Sequence, residues 1–536
     1  MKERLGEILI RKNKITLEQL KTCTNIQEET KEKLGHILVS QKMVRGEDIA
    51  EAFAEQALLP YYGKELEVDL ETLKKISIDF VEKHRIVPII LDTEKLAIAY
   101  EDPFLTKVTQ LLQDKGVSVE NNVVVPKRNI DRVIDRLKVQ KDDHRISEIV
   151  SRLKKQGVAS GAIEDFVNAI LKKAIALEAT DVHIEPSGAT SNVRIRIDGM
   201  LYPEISIDKK FHDHIVNVVF TKAGISSSDF FKSHDDGFRF ADHHRDIDIR
   251  LSAIPTKYGA SVALRILELG KTLISLEALG YHKDLYEKIT NAIKIPHGII
   301  LVTGPTGSGK TTTLYSILNT VKNPMLKIIT IEDPVEVEIP GVEQCEVNEQ
   351  TEESRFGVMT KRFLRQDPDI MLIGEIRDEE TAREAMRASM TGHKVFSTLH
   401  TNTAIESILR LLDLGISSTY IANTVSCIIS QRLVRKLCPR CKELDNDPKY
   451  QDVVEGHFYK AKGCEACSGK GYRGRTVVAE VLEVIPEIKN AIIQNNFQAI
   501  ENIAKESGFK DIKTDALRLI REGVTAIEEV RRVVGL

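Results

Sequence analysis

The sequence predicts an α/β fold of several domains, on three observations. An apolar run, Gly298-Ile299-Ile300-Leu301-Val302, leads into Gly304-Pro305-Thr306-Gly307-Ser308-Gly309-Lys310-Thr311, and a helical run from Thr312 follows. Short apolar runs at 328–331 and 370–373 alternate with helical stretches and read as buried parallel strands. The length of 536 residues, at about 100–200 per domain, leaves room for three or four domains.

Composition narrows the classes. Lys plus Arg (76) against Asp plus Glu (80) leaves −4, and aromatics are only 5%, so no basic stripe or stacking platform points to nucleic acid. No stretch of about 18 apolar residues is present to span a bilayer. Met1-Lys2-Glu3-Arg4 alternates charges with no apolar run behind it, unlike a secretory signal. Seven cysteines, four of them in two close pairs, suggest a metal in a reducing compartment, so a cytoplasmic location is expected.

The chain opens on a repeat. Arg4-Leu5-Gly6-Glu7-Ile8-Leu9 recurs 29 residues later as Lys33-Leu34-Gly35-His36-Ile37-Leu38, and the copies end at Gln27 and Gln56. Each reads as two short amphipathic helices, with Thr16 and Gln19 as a capping box. Residues 60–137 mix helical stretches with β-rich runs at 86–90 and 96–99, and the charged segment Leu137–Arg145 reads as a linker. Helix and strand alternate over 147–275, including a strand at Val193–Ile197, and the last 60 or so residues are mainly helical by pattern.

Residues 304–311 match GxxxxGK[ST] in the strand–loop–helix setting that gives the pattern meaning. Glycines let backbone N–H groups wrap phosphate oxygens at a helix N-terminus. Lys310 would reach the terminal phosphates and Thr311 would ligate magnesium, with Thr312 opening the helix. Acids follow two predicted strands, in Ile331-Glu332-Asp333-Pro334-Val335-Glu336 and Ile373-Gly374-Glu375-Ile376-Arg377-Asp378. Strand C-termini share the sheet edge where ligands bind. Glu332 and Asp378 are either members of that site or solvated loop acids. Thr391-Gly392-His393 and Thr398-Leu399-His400-Thr401 add a third such edge, where a histidine would sense the γ-phosphate or bond locally. Cys438-Pro439-Arg440-Cys441 and Cys464-Glu465-Ala466-Cys467 form CxxC–x22–CxxC, suited to a closed four-thiolate zinc shell, with Lys442, Lys462 and Lys470 nearby to offset its charge. Cys23, Cys345 and Cys427 read as packing residues.

Together, the phosphate loop, IEDPVE, RQDPDIMLIGEIRD, TGHKVFSTLHTN and QRLVRKLCPRC resemble the GspE/PilB family, the traffic ATPases of type II secretion and type IV pilus assembly. The resemblance implies a RecA-like core preceded by a smaller α/β domain, in a cytoplasmic homo-hexamer that hydrolyses ATP with Mg²⁺. Partners would be an inner-membrane platform protein and a cytoplasmic adaptor, with peripheral membrane association only. It makes Glu336 the catalytic glutamate, Glu375 a magnesium-holding acid, and His393 and His400 the histidine motif. Arg250 and Arg265 become the arginines that contact phosphate. The tetracysteine resembles that of the secretion and pilus-extension branch.

The repeat resembles the N-terminal module of MshE-type ATPases, which binds cyclic di-GMP. That resemblance implicates Arg4, Leu5, Gly6, Leu9, Leu20 and Gln27, then Lys33, Leu34, Gly35, Leu38 and Gln56. Lys33 stands where the first copy has Arg4, and Asn13 and Lys42 stand where the motif prefers glycine. A helical docking domain without ligand is the other reading. The expected domains are 1–140, 141–275 and 276–536, the last including the zinc element. A regulatory cyclic-dinucleotide receptor with slow ATP turnover is the alternative function.

Overall fold

The computed structural model describes residues 3–30, 32–41, 43–64, 66–91, 96–104, 108–117, 121–156, 161–226, 231–242, 245–268, 273–347, 351, 354–445, 447–450 and 456–536. The chain forms two compact units. One holds Met1–Ile197, Leu201–His243 and Ile249–Ile266, and the other holds the remainder, chiefly Leu267–Leu536.

The first unit begins with the repeat as helices Leu5–Arg11, Leu17–Thr30, Leu34–Ser40 and Gly46–Ala57. Thr16 and Gln19 exchange the expected capping bonds, at 2.8 and 3.2 Å. Ile8, Leu9, Ile37 and Leu38 bury between the helices, so the repeated apolar positions make the module's own core. Strands β1 (Ile86–Ile90), β2 (Leu96–Tyr100) and β3 (Asn121–Val124) form a small sheet in that order.

Residues 137–145 are not an irregular linker. They lie inside one helix, Lys127–Gln156. Ile130, Val133, Ile134 and Leu137 are buried at one end, and Ile146, Ile149, Val150 and Leu153 repeat the same spacing at the other. No glycine or proline interrupts the charged middle, and lysine, arginine and glutamine are good helix formers. Charge alone therefore did not break the helix. A second sheet follows from β4 (Asp181–Pro186), β5 (Thr190–Ile197), β6 (Met200–Asp208), β7 (His234–Asp242), β8 (Arg245–Thr256) and β9 (Gly259–Glu268), in the order β6-β5-β4-β9-β8-β7.

The second unit is built on β10 (Gly298–Thr303), β11 (Ile328–Glu332), β12 (Glu343–Glu346), β13 (Ile370–Ile373), β14 (Lys394–Leu399), β15 (Val425–Leu437) and β18 (Tyr472–Glu483). Between the last two, β16 (Glu443–Asp445) pairs with β17 (Phe458–Lys460). The order is β12-β11-β13-β14-β10-β15-β18, parallel up to β15, with β18 antiparallel. Along these strands alternate residues enter opposite cores. Ile299, Leu301, Ile331 and Ile373 point into one, and Ile300, Val302, Leu372 and Phe396 into the other. A sheet covered on both faces needs such uninterrupted apolar runs. Four helices from Pro486 to Val534 close the chain, as the pattern predicted.

Candidate active site

The site is assembled where the parallel strands end. Thr303 pairs with Leu399, Ile373 with Ser397, and Ile331 with Ile373, so the loops after β10, β14, β13 and β11 leave one edge together. The phosphate loop follows β10, and the helix Lys310–Val321 starts inside it. Gly304 has φ 144°, and a Cβ there would stand 2.5 Å from the Gln431 carbonyl oxygen. Only glycine lets the loop turn this close to β15. Lys310 Nζ donates to the Gly304 carbonyl at 2.8 Å, and Thr311 follows at the second position of the helix. Burial lowers the Lys310 ammonium pKa, partly opposed by the Glu375 charge. Ser308 Oγ and Thr303 Oγ1 are buried without a protein hydrogen-bond partner, which suits a site lined for phosphate oxygens.

Glu375 sits two residues beyond β13 on a pinned backbone. Gly374 N–H donates to the Ile331 carbonyl at 2.7 Å, Ile376 N–H to Thr398 at 3.0 Å, and Thr398 Oγ1 to Gly374 at 2.8 Å. Burial pushes the Glu375 carboxyl up, but the Arg377 hydrogen bond and the Arg377 and His400 charges outweigh it and hold it below the usual glutamate range. His400 Nε2 lies 3.6 Å from Glu375 Oε2, and Arg377 also reaches Asp333 at 3.8 Å. Glu336 is exposed on the loop after β11.

One expectation needs correction, and two open alternatives are settled. His393 precedes β14 whereas His400 follows it, and seven residues at roughly 3.3 Å each put them about 23 Å apart. The His393 ring lies 2.9 Å from the Ala388 carbonyl, so of the two histidines only His400 joins the site. Glu332 is not a solvated acid: it is buried, and Thr330 Oγ1, Gln344 Nε2 and the Tyr315 hydroxyl all donate to it. Asp378 caps the helix Glu379–Met390 by accepting from Thr381 N–H at 2.7 Å. Sequence reading missed Gln431. Its side chain is fully buried, donating to Ser308 O at 2.8 Å and accepting from Thr313 Oγ1 at 3.0 Å and from Tyr281. A lone glutamine inside an apolar strand was the available signal.

Arg250 and Arg265 are exposed on β8 and β9 of the first unit, and Arg265 Nε lies 3.3 Å from Asp181 Oδ1. In the repeat, Arg4 is exposed at the start of its helix, and Gly6 packs so closely that a Cβ would meet Leu20 Cδ1 at 2.6 Å. Leu5, Leu9 and Leu38 are buried in the module's core, while Leu20 and Leu34 pack partly buried against it. Gln27 Nε2 bonds the Glu32 carbonyl at 3.2 Å, Lys33 pairs with Asp102 at 2.7 Å, and Gln56 is half-buried. Gly35 is less crowded than Gly6, a Cβ meeting Ile49 Cγ2 at 3.4 Å. Asn13 adopts φ 55°, the conformation for which glycine is preferred and which asparagine tolerates. Lys42 lies outside the described residues.

Cys438, Cys441, Cys464 and Cys467 bring their sulfurs within 4.8 Å of one another. Three of the S···S separations are 3.8 Å. A tetrahedron with Zn–S bonds of about 2.3 Å has edges of about 3.8 Å, so the donor set fits zinc. Lys462 pairs with Glu443 while its charge also interacts with Cys441, and Lys442 donates to the Gly523 carbonyl. Backbone N–H groups of Gly471 and Cys464 donate to the Cys467 sulfur, at 3.1 and 3.2 Å. Cys23 and Cys427 are core residues and Cys345 packs partly buried.

Residues 156–532 match the family model described as type II/IV secretion system protein. Residues 62–144 match the MshEN domain, a stretch that begins after both repeat copies. The type IV pilus assembly ATPase PilB of Thermus thermophilus is 33% identical over 99% of this chain and 66% of its own length. PilB of Pseudomonas aeruginosa is 35% identical over 92% of each. The type II secretion system ATPase E of Vibrio cholerae is 39% identical over 68% of this chain and 74% of its own. The solved Legionella pneumophila ATPase DotB shares the fold, with a TM-score of 0.53 at 20% identity over 68% of this chain and 94% of its own. With the phosphate loop, Glu375 and His400 at one sheet edge, this chain belongs to the type II/IV secretion system protein family and carries its ATPase core.

Proposed function

We propose that this chain is the motor ATPase that powers assembly of a type IV pilus or a type II secretion pseudopilus. The observation that carries the reading is the convergence of Lys310, Glu375, Glu336 and His400 on one sheet edge, in a chain similar along almost its whole length to pilus assembly ATPases. It acts as a homo-hexamer at the cytoplasmic side of the inner membrane, with a platform protein and an adaptor as partners. No helix among the described residues is long and apolar enough to cross a membrane.

In this reading the phosphate loop, residues 304–312, holds ATP, and Lys310 meets the charge of its terminal phosphates. Thr311 and Glu375 would hold Mg²⁺, which supplies charge neutralisation across the phosphates. Glu336 orients or deprotonates the attacking water, and His400, beside Glu375, senses the terminal phosphate. Arg250 and Arg265 supply further positive charge to the transferring phosphoryl. The four thiolates hold a structural Zn²⁺, since a closed shell leaves no position for chemistry. The domains are 1–140, 141–275 and 276–536. The repeat, through Arg4, Leu5, Gly6 and Gln27 and through Lys33, Leu34, Gly35 and Gln56, makes cyclic di-GMP the regulatory ligand. The exposed Arg4 supports this.

Lys310→Ala and Glu336→Ala in the purified protein should each abolish ATP turnover. Normal hydrolysis in either overturns that residue's assignment. Deleting the gene and scoring surface filaments beside secreted proteins separates the two machines.

A further inference from the structure

The loop that carries Glu336 is held by groups outside the phosphate and metal machinery. Tyr315 lies on the helix Lys310–Val321, between one and two turns beyond Lys310, and is almost fully buried. Its hydroxyl donates to Glu332 at the end of β11 and accepts from the Glu336 backbone N–H at 3.1 Å. Burial and the adjacent Glu332 carboxyl both raise the Tyr315 pKa, so the phenol keeps its proton and can act as donor and acceptor at once. Glu332 is anchored in turn by Thr330 Oγ1 at 2.6 Å and Gln344 Nε2 at 3.1 Å. Gln344 clasps the far side of the same loop. Its Oε1 accepts from Ile339 N–H at 2.6 Å and its Nε2 donates to the Val337 carbonyl at 3.1 Å.

We propose that Tyr315 is a positioning residue, tying the helix that follows the phosphate loop to the loop that presents Glu336, with Glu332 as the buried anchor and Gln344 as the second clasp. The proposal rests on the reading of Glu336 as the water-directing acid. The helix N-terminus faces the phosphates and the hydroxyl holds the acid's own backbone, so one rigid element sets the spacing between them. Misplacing a water-directing group by about 1 Å costs about a hundredfold in rate. A side chain that served packing alone could be phenylalanine, whereas the hydroxyl here bridges two elements.

The test is steady-state ATP hydrolysis by the full-length protein with Mg²⁺, beside a fluorescent ATP analogue for binding and a melting temperature. Tyr315→Phe keeps the ring and removes both bonds. Expected is a fall in kcat of about tenfold or more, with KM and analogue affinity near wild type and a melting temperature lowered only by the two lost bonds. Gln344→Met should show the same split, and reads the same clasp should Tyr315→Phe fail to fold. Adding Tyr315→Phe to Glu336→Gln should cost nothing more, because the positioned group is already gone. Unchanged kcat in Tyr315→Phe and Gln344→Met while Glu336→Gln is inactive overturns the proposal, as does a loss of rate matched by equal losses of affinity and melting temperature. Normal turnover in Glu336→Gln instead overturns the reading beneath it.

Discussion

Gln431 Nε2 donates to the Ser308 carbonyl oxygen at 2.8 Å, linking β15 to the phosphate loop across 123 positions of sequence. Replacing Gln431 with leucine leaves that carbonyl without its buried donor and removes the acceptor shared by the Thr313 and Tyr281 hydroxyls, which then keep only their 3.1 Å bond to each other. Each orphaned group costs about 1–3 kcal/mol. Gln431→Leu should therefore lower the denaturation midpoint and weaken ATP binding together, checked by urea titration and equilibrium binding. A variant with wild-type affinity would show that the loop holds its shape without this brace.

The balance at Glu375 carries a pH signature. Its carboxyl is held below the ordinary range chiefly by Arg377, against the upward push of burial. A depressed folded-state pKa keeps the charge as pH falls, and the benefit is lost only on passing through the depressed value. Removing Arg377 should move the acid limb of the kcat profile to higher pH. Arg377→Ala assayed from pH 5 to 8 checks the direction, and a shift to lower pH contradicts the assignment.

Lys394 offers a second titration, away from the chemistry. It is buried at the start of β14, donates to the Ala292 and Ile295 carbonyls at 2.7 and 2.9 Å, and burial lowers its pKa to about 8. Between about 8 and the usual lysine value of about 10.4 the unfolded chain binds more protons, so stability should rise with pH across that window. Lys394→Met removes the titration. Wild type should gain on the variant as pH rises from about 8 to 10 in parallel denaturation curves.

Zinc should be present at one atom per chain. Cys441→Ser or Cys467→Ser should lose it and expose residues 438–471 to proteolysis, because a closed four-thiolate shell contributes folding energy directly. Elemental analysis with limited proteolysis reads both. ATP affinity at the phosphate loop should be unchanged.

In the repeat, Gly6→Ala should push on Leu20, whose side chain would meet the new Cβ at 2.6 Å. Overpacking of this kind costs about 1–3 kcal/mol. The variant should lose thermal stability in the first unit, with any cyclic di-GMP binding by the full-length protein weakened in parallel. Calorimetry on wild type and variant measures both.

Sequence alone settled whatever is written in contiguous residues. The phosphate loop needs eight consecutive positions and a strand before it. The strands at 298–302, 328–331 and 370–373 announce themselves because a sheet covered on both faces favours near-continuous apolar runs. The paired CxxC turns carry their ligand spacing within themselves, and Thr16 with Gln19 is a three-residue relationship. The tertiary structure decided whatever depends on which strand lies beside which, and at which end. That is why His393 and His400, seven residues apart, separate to opposite edges of one sheet, and why Glu332 is an internal anchor while Glu375 serves the edge. It is also why the partners of Gln431 and Tyr315, which arrive only when β15 and the loop after β11 are in place, could not be read from the sequence. A side chain's neighbours across the chain are chosen by packing, and packing has no period to read.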